Sequence, residues 1–363
     1  MNKVKGYLYE LASDKRHGII AAGIKAILLC LSLIYAALIR LIIFFRQRRH
    51  YVAGCKVISI GNVVLGGTGK TLLVEFVSRF LSQHNHRHAI ISRGYKRPCR
   101  THNNIPFVPY AALGDELYML SLNLDNAAFI ADTDRVRALR KAAAAYKADT
   151  AILDDGFQQW HIHKDLEIVT INANNPFGNF RMIPRGILRE PIQSLARADI
   201  FVLTKALEHT DTRPLREYLV MRNPSALIVE SRYQPLGLYH IENKDAILDV
   251  SLCKGKKVTL LCGIADPGSF AQSIRDIGAE IALSFVFADH HCYEDTDVAE
   301  VIRACRERGV TTIVTTEKDS VRLMHLMPQY RNAGVSIFVL KIQMAIYKNE
   351  KEFSDRLLSL YSR

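Results

Sequence analysis

Residues 58–71 read ISIGNVVLGGTGKT, and this stretch decides the fold. An apolar strand runs into a glycine-rich turn that closes on Gly69, Lys70 and Thr71, and the positions from Leu72 to Leu81 carry helical apolar spacing. Strand, loop and helix in that order make a phosphate cradle. Amides at Gly66, Gly67 and Gly69 can approach phosphate oxygens because no Cβ stands in the way, Lys70 reaches the β- and γ-phosphates, and the Thr71 hydroxyl is placed for Mg²⁺. The usual pattern has glycine six residues before the lysine, where this chain has Val64. The expected nucleotide-binding loop is Val64, Leu65, Gly66, Gly67, Thr68, Gly69, Lys70 and Thr71.

Downstream, short apolar runs alternate with helical stretches. Strands are predicted at 57–60, 89–92, 151–153, 168–171, 200–203 and 226–230, with helices at 71–83, 117–123 and 135–147. A second series follows, with strands at 258–262, 281–285, 312–315 and 337–342 and helices at 269–276 and 296–306. Alternation of this kind gives a mostly parallel sheet with helices on both faces, and ligands bind beyond the carboxyl ends of its strands. The fold class is α/β: a P-loop NTPase-like sheet domain over 51–240, a second, smaller α/β domain over 241–363, and an N-terminal membrane-associated helical segment over 1–50. The boundary falls within the less regular stretch 234–256.

The N-terminal segment stands apart in composition. Residues 18–45 read GIIAAGIKAILLCLSLIYAALIRLIIFF, interrupted only by Lys25 and Arg40. About 20 apolar residues are needed to span a bilayer; the two cations could snorkel to opposite interfaces, or the helix could lie along the surface. Residues 1–50 hold nine Lys or Arg against Glu10 and Asp14, which is +7 of the formal net charge of +12. Basic residues around an apolar helix suit an anionic membrane surface, and Arg46, Arg48 and Arg49 would keep the following domain on the cytoplasmic side. No small-residue cleavage site follows, which argues against a signal peptide. No base-stacking motif accompanies the charge, so no nucleic-acid partner is expected. The seven cysteines include no CxxC pair, which fits a reduced chain without a disulfide frame or zinc site.

Several clusters lie at predicted strand ends. Asp154 and Asp155, in AILDDGFQQ, sit where a carboxylate holds Mg²⁺ beside a phosphate loop, although Asp-Gly also favours a plain turn. Gly114-Asp115-Glu116 precedes an apolar helix and is equally good capping chemistry. Asp289-His290-His291 could handle a proton or supply a zinc pair, but no third ligand at metal spacing is visible. Arg93, Lys96 and Arg97, and then Arg181, Arg185 and Arg189, are candidates for binding phosphates of ATP or of an acceptor.

Taken in order, these blocks resemble the tetraacyldisaccharide 4′-kinase family, the lipid A 4′-kinases of Gram-negative bacteria. The resemblance is carried by Gly61-Asn62 through Thr71, Ser92-Arg93-Gly94-Tyr95, Gly114-Asp115-Glu116, Asp154-Asp155-Gly156-Phe157-Gln158 and Leu188-Arg189-Glu190-Pro191. In the second half it continues with Cys262-Gly263-Ile264-Ala265, Asp289-His290 and Thr315-Thr316-Glu317-Lys318-Asp319. It implies transfer of the ATP γ-phosphoryl group to the 4′-hydroxyl of a tetraacyl glucosamine disaccharide 1-phosphate, giving lipid IVA, in a cleft between two domains on the cytoplasmic face of the bacterial inner membrane. The implied roles are Asp115 as general base, His290 supporting it from the other domain, and Thr71, Glu116 and Asp154 or Asp155 organising Mg²⁺. Arg93, Tyr95, Arg181 and Arg189 are expected to contact the acceptor, and a monomer is expected. Leu72 and Leu117 stand where the family commonly has proline. A membrane-associated ATPase or GTPase switch is the rival reading, but the nearest candidate for a guanine-reading segment, Thr204-Lys205-Ala206-Leu207, lacks its Asn and Asp. A non-catalytic nucleotide-binding scaffold is a second rival, disfavoured by Asp115, Asp154, Asp155 and His290.

Overall fold

A computed structural model describes residues 11, 14, 16–48, 50–94, 113–206 and 210–362. Tyr95, Lys96 and Arg97 lie outside the described residues. The chain forms two compact units, one comprising 1–93, 124–232 and 344–363, the other 94–123 and 233–343. The expected domains were consecutive in sequence, whereas these units exchange segments. The second takes the stretch that carries Asp115, and the first takes back the C-terminal 20 residues.

The first unit opens with α1 (Ile19–Arg46), 28 residues long and, among the described residues, the one helix long and apolar enough to cross a membrane. At 1.5 Å per residue it extends about 42 Å. Most of its large apolar side chains face outward, including Leu31, Ile34, Leu38, Leu41 and Phe45. One stripe is docked instead: Ala36 is buried in the cluster that holds Val64, Phe177 and Met182. Ser32 Oγ donates to the Met182 carbonyl at 2.7 Å, and Tyr35 Oη donates to the Arg189 carbonyl at 3.0 Å.

The sheet of this unit contains β1 (Lys56–Gly61), β2 (His88–Ser92), β3 (Ala127–Ala131), β4 (Thr150–Asp154), β5 (Leu166–Asn172), β6 (Ile200–Thr204) and the first part of β7 (Leu227–His240). Within it the order is β3-β2-β4-β1-β5-β6-β7, all parallel. The helices are α2 (Lys70–Gln83), α4 (Arg135–Ala144) and α5 (Arg213–Arg222). Between them in the chain comes α3 (Asp115–Asn123), which belongs to the second unit. Strands β1, β4 and β5 are buried along almost their whole length, as continuous apolar runs in a parallel sheet require. Strand β3 was not predicted. Its AAFIA sequence has little β-branched character, and Ile130 alone is fully buried.

In the second unit β9 (Lys257–Cys262), β10 (Glu280–Val286), β11 (Thr312–Thr316) and the first part of β12 (Ser336–Lys348) form a parallel set in the order β10-β9-β11-β12. A short strand, β8 (Asn243–Leu248), runs antiparallel to the end of β7. Helices α6 (Pro267–Asp276), α7 (Asp295–Arg308), α8 (Glu317–Leu323) and α9 (Met327–Asn332) complete it. Consecutive strand residues feed two different cores. Leu261, Ile313 and Val339 pack with Val298, Val301 and Cys305 of α7, while Leu260, Val314 and Leu340 pack with Phe270 and Ile274 of α6. That is the period-two rule with both faces covered. Helix α10 (Glu350–Leu358) ends the chain and packs in the first unit, where Phe353 is fully buried and Asn349 bonds the Ile228 carbonyl. Cys30, Cys55, Cys253, Cys262 and Cys305 are free thiols, but Cys292 is disulfide-bonded, which departs from the fully reduced chain expected from sequence.

Candidate functional site

In the first unit, β1 ends at Gly61 and α2 begins at Lys70, so the expected loop bridges a strand end and a helix N-terminus. Gly69 caps the helix at φ 81°, a left-handed conformation that glycine adopts without strain. Thr68 is buried and held from three sides. Asn62 Nδ2 donates to its Oγ1 at 3.0 Å, Thr170 Oγ1 lies 2.8 Å from the same atom, and Thr204 Oγ1 donates to its carbonyl at 3.0 Å. Thr204, from the segment considered for guanine reading, therefore pins the glycine-rich loop. Val64 puts its side chain into the apolar cluster and bridges Leu188, while Leu65 is exposed at its side chain and bonds the Ile187 carbonyl through its amide at 2.8 Å. The loop is thus stitched to the segment that carries Arg189.

Next to β1, strand β4 delivers Asp154 in register with Ile60. Asp154 is buried and accepts from Ser92 Oγ at 3.1 Å. Asp155 follows at φ 54°, a region in which aspartate is enriched among non-glycine residues. Glycines let this turn lie flat on β1: a Cβ at Gly61 would meet the Phe157 amide nitrogen at 2.6 Å, and one at Gly156 would meet Ser59 Oγ at 2.4 Å. The Asp155 carboxylate takes a two-pronged contact from Arg189, at 2.7 and 3.0 Å, with Lys70 Nζ 3.6 Å away. Burial pushes its carboxyl up, but Lys70 and then Arg189 outweigh that and hold it at about 2. Arg189, expected to face an acceptor, thus has its guanidinium on Asp155 and on Asn62 Oδ1 at 3.1 Å. Arg185 is paired with Asp14 at 2.6 Å. Arg181 is exposed, with no side-chain hydrogen bond or ion pair among the described residues. Arg93 is exposed just past the carboxyl end of β2.

Two groups here escaped the sequence reading. Glu190 is fully buried and accepts from Gln158 Nε2 at 2.9 Å, Trp160 Nε1 at 3.0 Å and Arg197 Nη2 at 2.8 Å. Arg135, the first residue of α4, is buried with no hydrogen-bond partner for its Nε among the described residues, and Asp154 is the foremost charge favouring its protonated form against burial. A cation at a helix N-terminus opposes the macrodipole, and that was the available signal.

In the second unit, Asp115 opens α3 and is 5% exposed. Its Oδ2 lies 2.9 Å from Arg322 Nε and 3.5 Å from His290 Nδ1. Lys318 Nζ contacts Glu116 Oε1 at 2.9 Å, His290 Nε2 at 3.2 Å and Asp289 Oδ1 at 3.5 Å. An ammonium only donates, so Nε2 of His290 is the acceptor in the Lys318 contact, and Nδ1 is the ring nitrogen that faces Asp115. His290 itself has φ 61°, an uncommon backbone state that re-aims the ring. The sequence reading placed His290 in the other domain from Asp115. The structure corrects this: both belong to one unit, because α3 is tied to α8 through Asn123–Glu317, Glu116–Lys318 and Asp115–Arg322. His291 bonds Asp297 at 2.8 Å rather than joining His290 in a zinc pair. Among the described residues no three His, Cys, Asp or Glu side chains are grouped to hold a metal by themselves.

A separate cavity of about 590 Å³ opens at the amino ends of β1 and β4, lined by Lys56, Asp149, His163, Asp165 and Tyr361 among others. The glycine-rich loop lies at the carboxyl ends of the same sheet, so this cavity is distinct from it.

Residues 24–362 match the family model described as tetraacyldisaccharide-1-P 4′-kinase. The chain is 32% identical to a tetraacyldisaccharide 4′-kinase of Halothermothrix orenii, covering 95% of each, and 36% identical to one from Anaeromyxobacter sp. strain K over 75% and 73% of the two chains. In fold it is similar to LpxK from Aquifex aeolicus, crystallised in complex with ATP, with a TM-score of 0.71 and 24% identity over 93% of this chain and all of that one.

Proposed function

The chain belongs to the tetraacyldisaccharide-1-phosphate 4′-kinase family, and we propose that it transfers the γ-phosphoryl group of ATP to the 4′-hydroxyl of a tetraacyl glucosamine disaccharide 1-phosphate. The observation that supports this most is the Lys70–Asp155–Arg189 arrangement behind a glycine-rich loop, in a chain matched by the family model over nearly its whole length. Loop amides and Lys70 bind the β- and γ-phosphates, and Lys70 neutralises charge as it moves to the leaving oxygen. Asp115 accepts the proton of the 4′-hydroxyl as that oxygen bonds to γ-phosphorus. The bond from γ-phosphorus to the β,γ-bridging oxygen breaks, and ADP leaves. His290, its Nδ1 directed at Asp115, steadies the carboxylate.

Magnesium fits the donors of the first unit. Thr71 and Asp154 offer hard oxygen ligands, and Mg²⁺ in kinases commonly takes one or two protein groups beside phosphates and water. When bound it would neutralise the phosphate oxygens. Asp155 serves chiefly to place Lys70 and Arg189, and Glu116 is engaged by Lys318.

The acceptor is a lipid, and each buried CH₂ holds it to a bilayer by about 0.8 kcal/mol. The outward apolar face of α1 and the basic charge around it suit attachment to the cytoplasmic face of an anionic inner membrane, with the enzyme acting as a monomer. Arg93, Tyr95 and Arg181 are the remaining groups proposed to contact the acceptor. The switch reading is not favoured, since Thr204 serves the loop and the family match runs from residue 24 to residue 362. Incubation with γ-labelled ATP and a lipid disaccharide 1-phosphate, followed by thin-layer separation, tests the assignment. Label in the lipid is the expected result, and label only in free phosphate would reject it.

A further inference from the structure

We propose that Arg322 is the positioning residue of the Asp115–His290 pair, holding the carboxylate in the orientation from which it takes the acceptor's proton. The proposal rests on the reading of Asp115 as general base. Arg322 lies near the end of α8, and its side chain is 3% exposed. Its Nε stands 2.9 Å from Asp115 Oδ2, the same oxygen that His290 Nδ1 addresses at 3.5 Å. The guanidinium charge and the imidazole both lie against this one oxygen of the carboxylate.

The guanidinium is itself anchored. Nη1 donates to Asp319 Oδ1 at 3.2 Å, to the Gly263 carbonyl at 3.3 Å and to the His291 carbonyl at 3.4 Å. Asp319 is fully buried and accepts from Tyr293 Oη at 3.0 Å, the Gly263 amide at 3.1 Å and Thr316 Oγ1 at 2.7 Å. Arg322 thereby binds the end of β9, the His290 loop and α8 to the first residue of α3. Lys318, one turn earlier on α8, holds the far nitrogen of the same histidine. The helix therefore addresses both members of the pair.

A purely structural arginine would be expected to satisfy its donors. Here Nε lies close to Asp115 without the alignment of a hydrogen bond, and Nη2 is buried with no hydrogen-bond partner among the described residues. What ties Arg322 to Asp115 is therefore charge at close range rather than a directed hydrogen bond. Removing a charge from water is costly unless it is paired, so Asp115 at this depth needs a fixed cation close by.

The test measures kcat and KM for ATP in the full chain carrying Arg322→Met, Arg322→Lys or Asp115→Asn, with the lipid disaccharide 1-phosphate in mixed micelles. Misplacing a reacting group by about 1 Å can cost roughly 100-fold. Arg322→Met is expected to lower kcat by about 10- to 100-fold with KM for ATP within about 2-fold. Arg322→Lys, which keeps the charge, is expected to recover part of the loss. Should the methionine variant not fold, the lysine variant decides: a kcat at least several-fold down with KM unchanged supports the proposal, and a wild-type kcat overturns it. Loss of activity that merely tracks the folded fraction, with lysine no better than methionine, also overturns it. Near-normal turnover in Asp115→Asn rejects the base reading instead. A dead Asp115→Asn beside a fully active Arg322→Met rejects the role of Arg322 alone.

Discussion

Glu190→Ala should destabilise the first unit while leaving the glycine-rich loop and Lys70 intact. The carboxylate is fully buried and accepts three hydrogen bonds. Arg197, from the 3₁₀ turn Ile192–Arg197, donates to Oε2, while Gln158 and Trp160 share Oε1. Arg197 also lies over the buried Phe157 ring, 4.2 Å from its centroid. Truncation leaves the Trp160 indole N–H without its acceptor, and leaves Gln158 and Arg197 only the Asn62 and Phe157 carbonyls, at 3.0 and 3.4 Å. Arg197 is partly exposed and keeps a backbone acceptor, so the loss is that of a charged hydrogen bond, about 1.5–3 kcal/mol. For a body of this size each kcal/mol moves Tm by roughly 2–4 °C, so a drop of roughly 3–12 °C is expected by calorimetry or far-UV circular dichroism. Glu190→Gln keeps Oε1 for Gln158 and Trp160 but turns a donor toward Arg197, and should lose about half as much. Removing both charges is cheaper than removing one, so Glu190→Ala with Arg197→Met should be more stable than Glu190→Ala alone. A Tm for Glu190→Ala within 2 °C of the parent, or a double variant less stable than the single, would refute the reasoning.

Lys70→Met should lower kcat by about 10²–10³-fold, the usual loss when one preorganised charge is removed from a transition state; steady-state kinetics with wild-type values would take the loop out of the site. Acid stability should depend on Asp155. Its folded carboxyl, at about 2, lies below the ordinary 3.8, so its pairing stabilises the fold above that ordinary value, and the contribution is lost as pH falls through about 2. Arg189→Met should move this loss to higher pH, and superimposable acid-unfolding curves would contradict it. Deletion of residues 1–50 should transfer the protein from sedimenting vesicles of anionic lipid to the supernatant; unchanged sedimentation would mean that α1 is not the main anchor.

The loop, the parallel sheets and the aspartates at the end of β4 were legible because their signals are local. A strand shows as an apolar run, a phosphate turn as closely spaced glycines, and Gly61 and Gly156 are the residues that such a close backbone approach demands. Strand β3 and the Glu190 hub carried no such mark, since the one is alanine-rich and the other is an ordinary Arg-Glu-Pro step until folding buries it. Sequence by itself determined a glycine-rich loop between a strand and a helix at Lys70, an apolar helix ahead of it and a second α/β series after it. Tertiary structure alone decided that Asp115 shares a unit with His290, and that Arg189 and Arg322 each complete a carboxylate far away in the chain. Periodicity and turn chemistry act over a few residues, whereas a buried charge finds its partner only when strands and helices distant in sequence have packed.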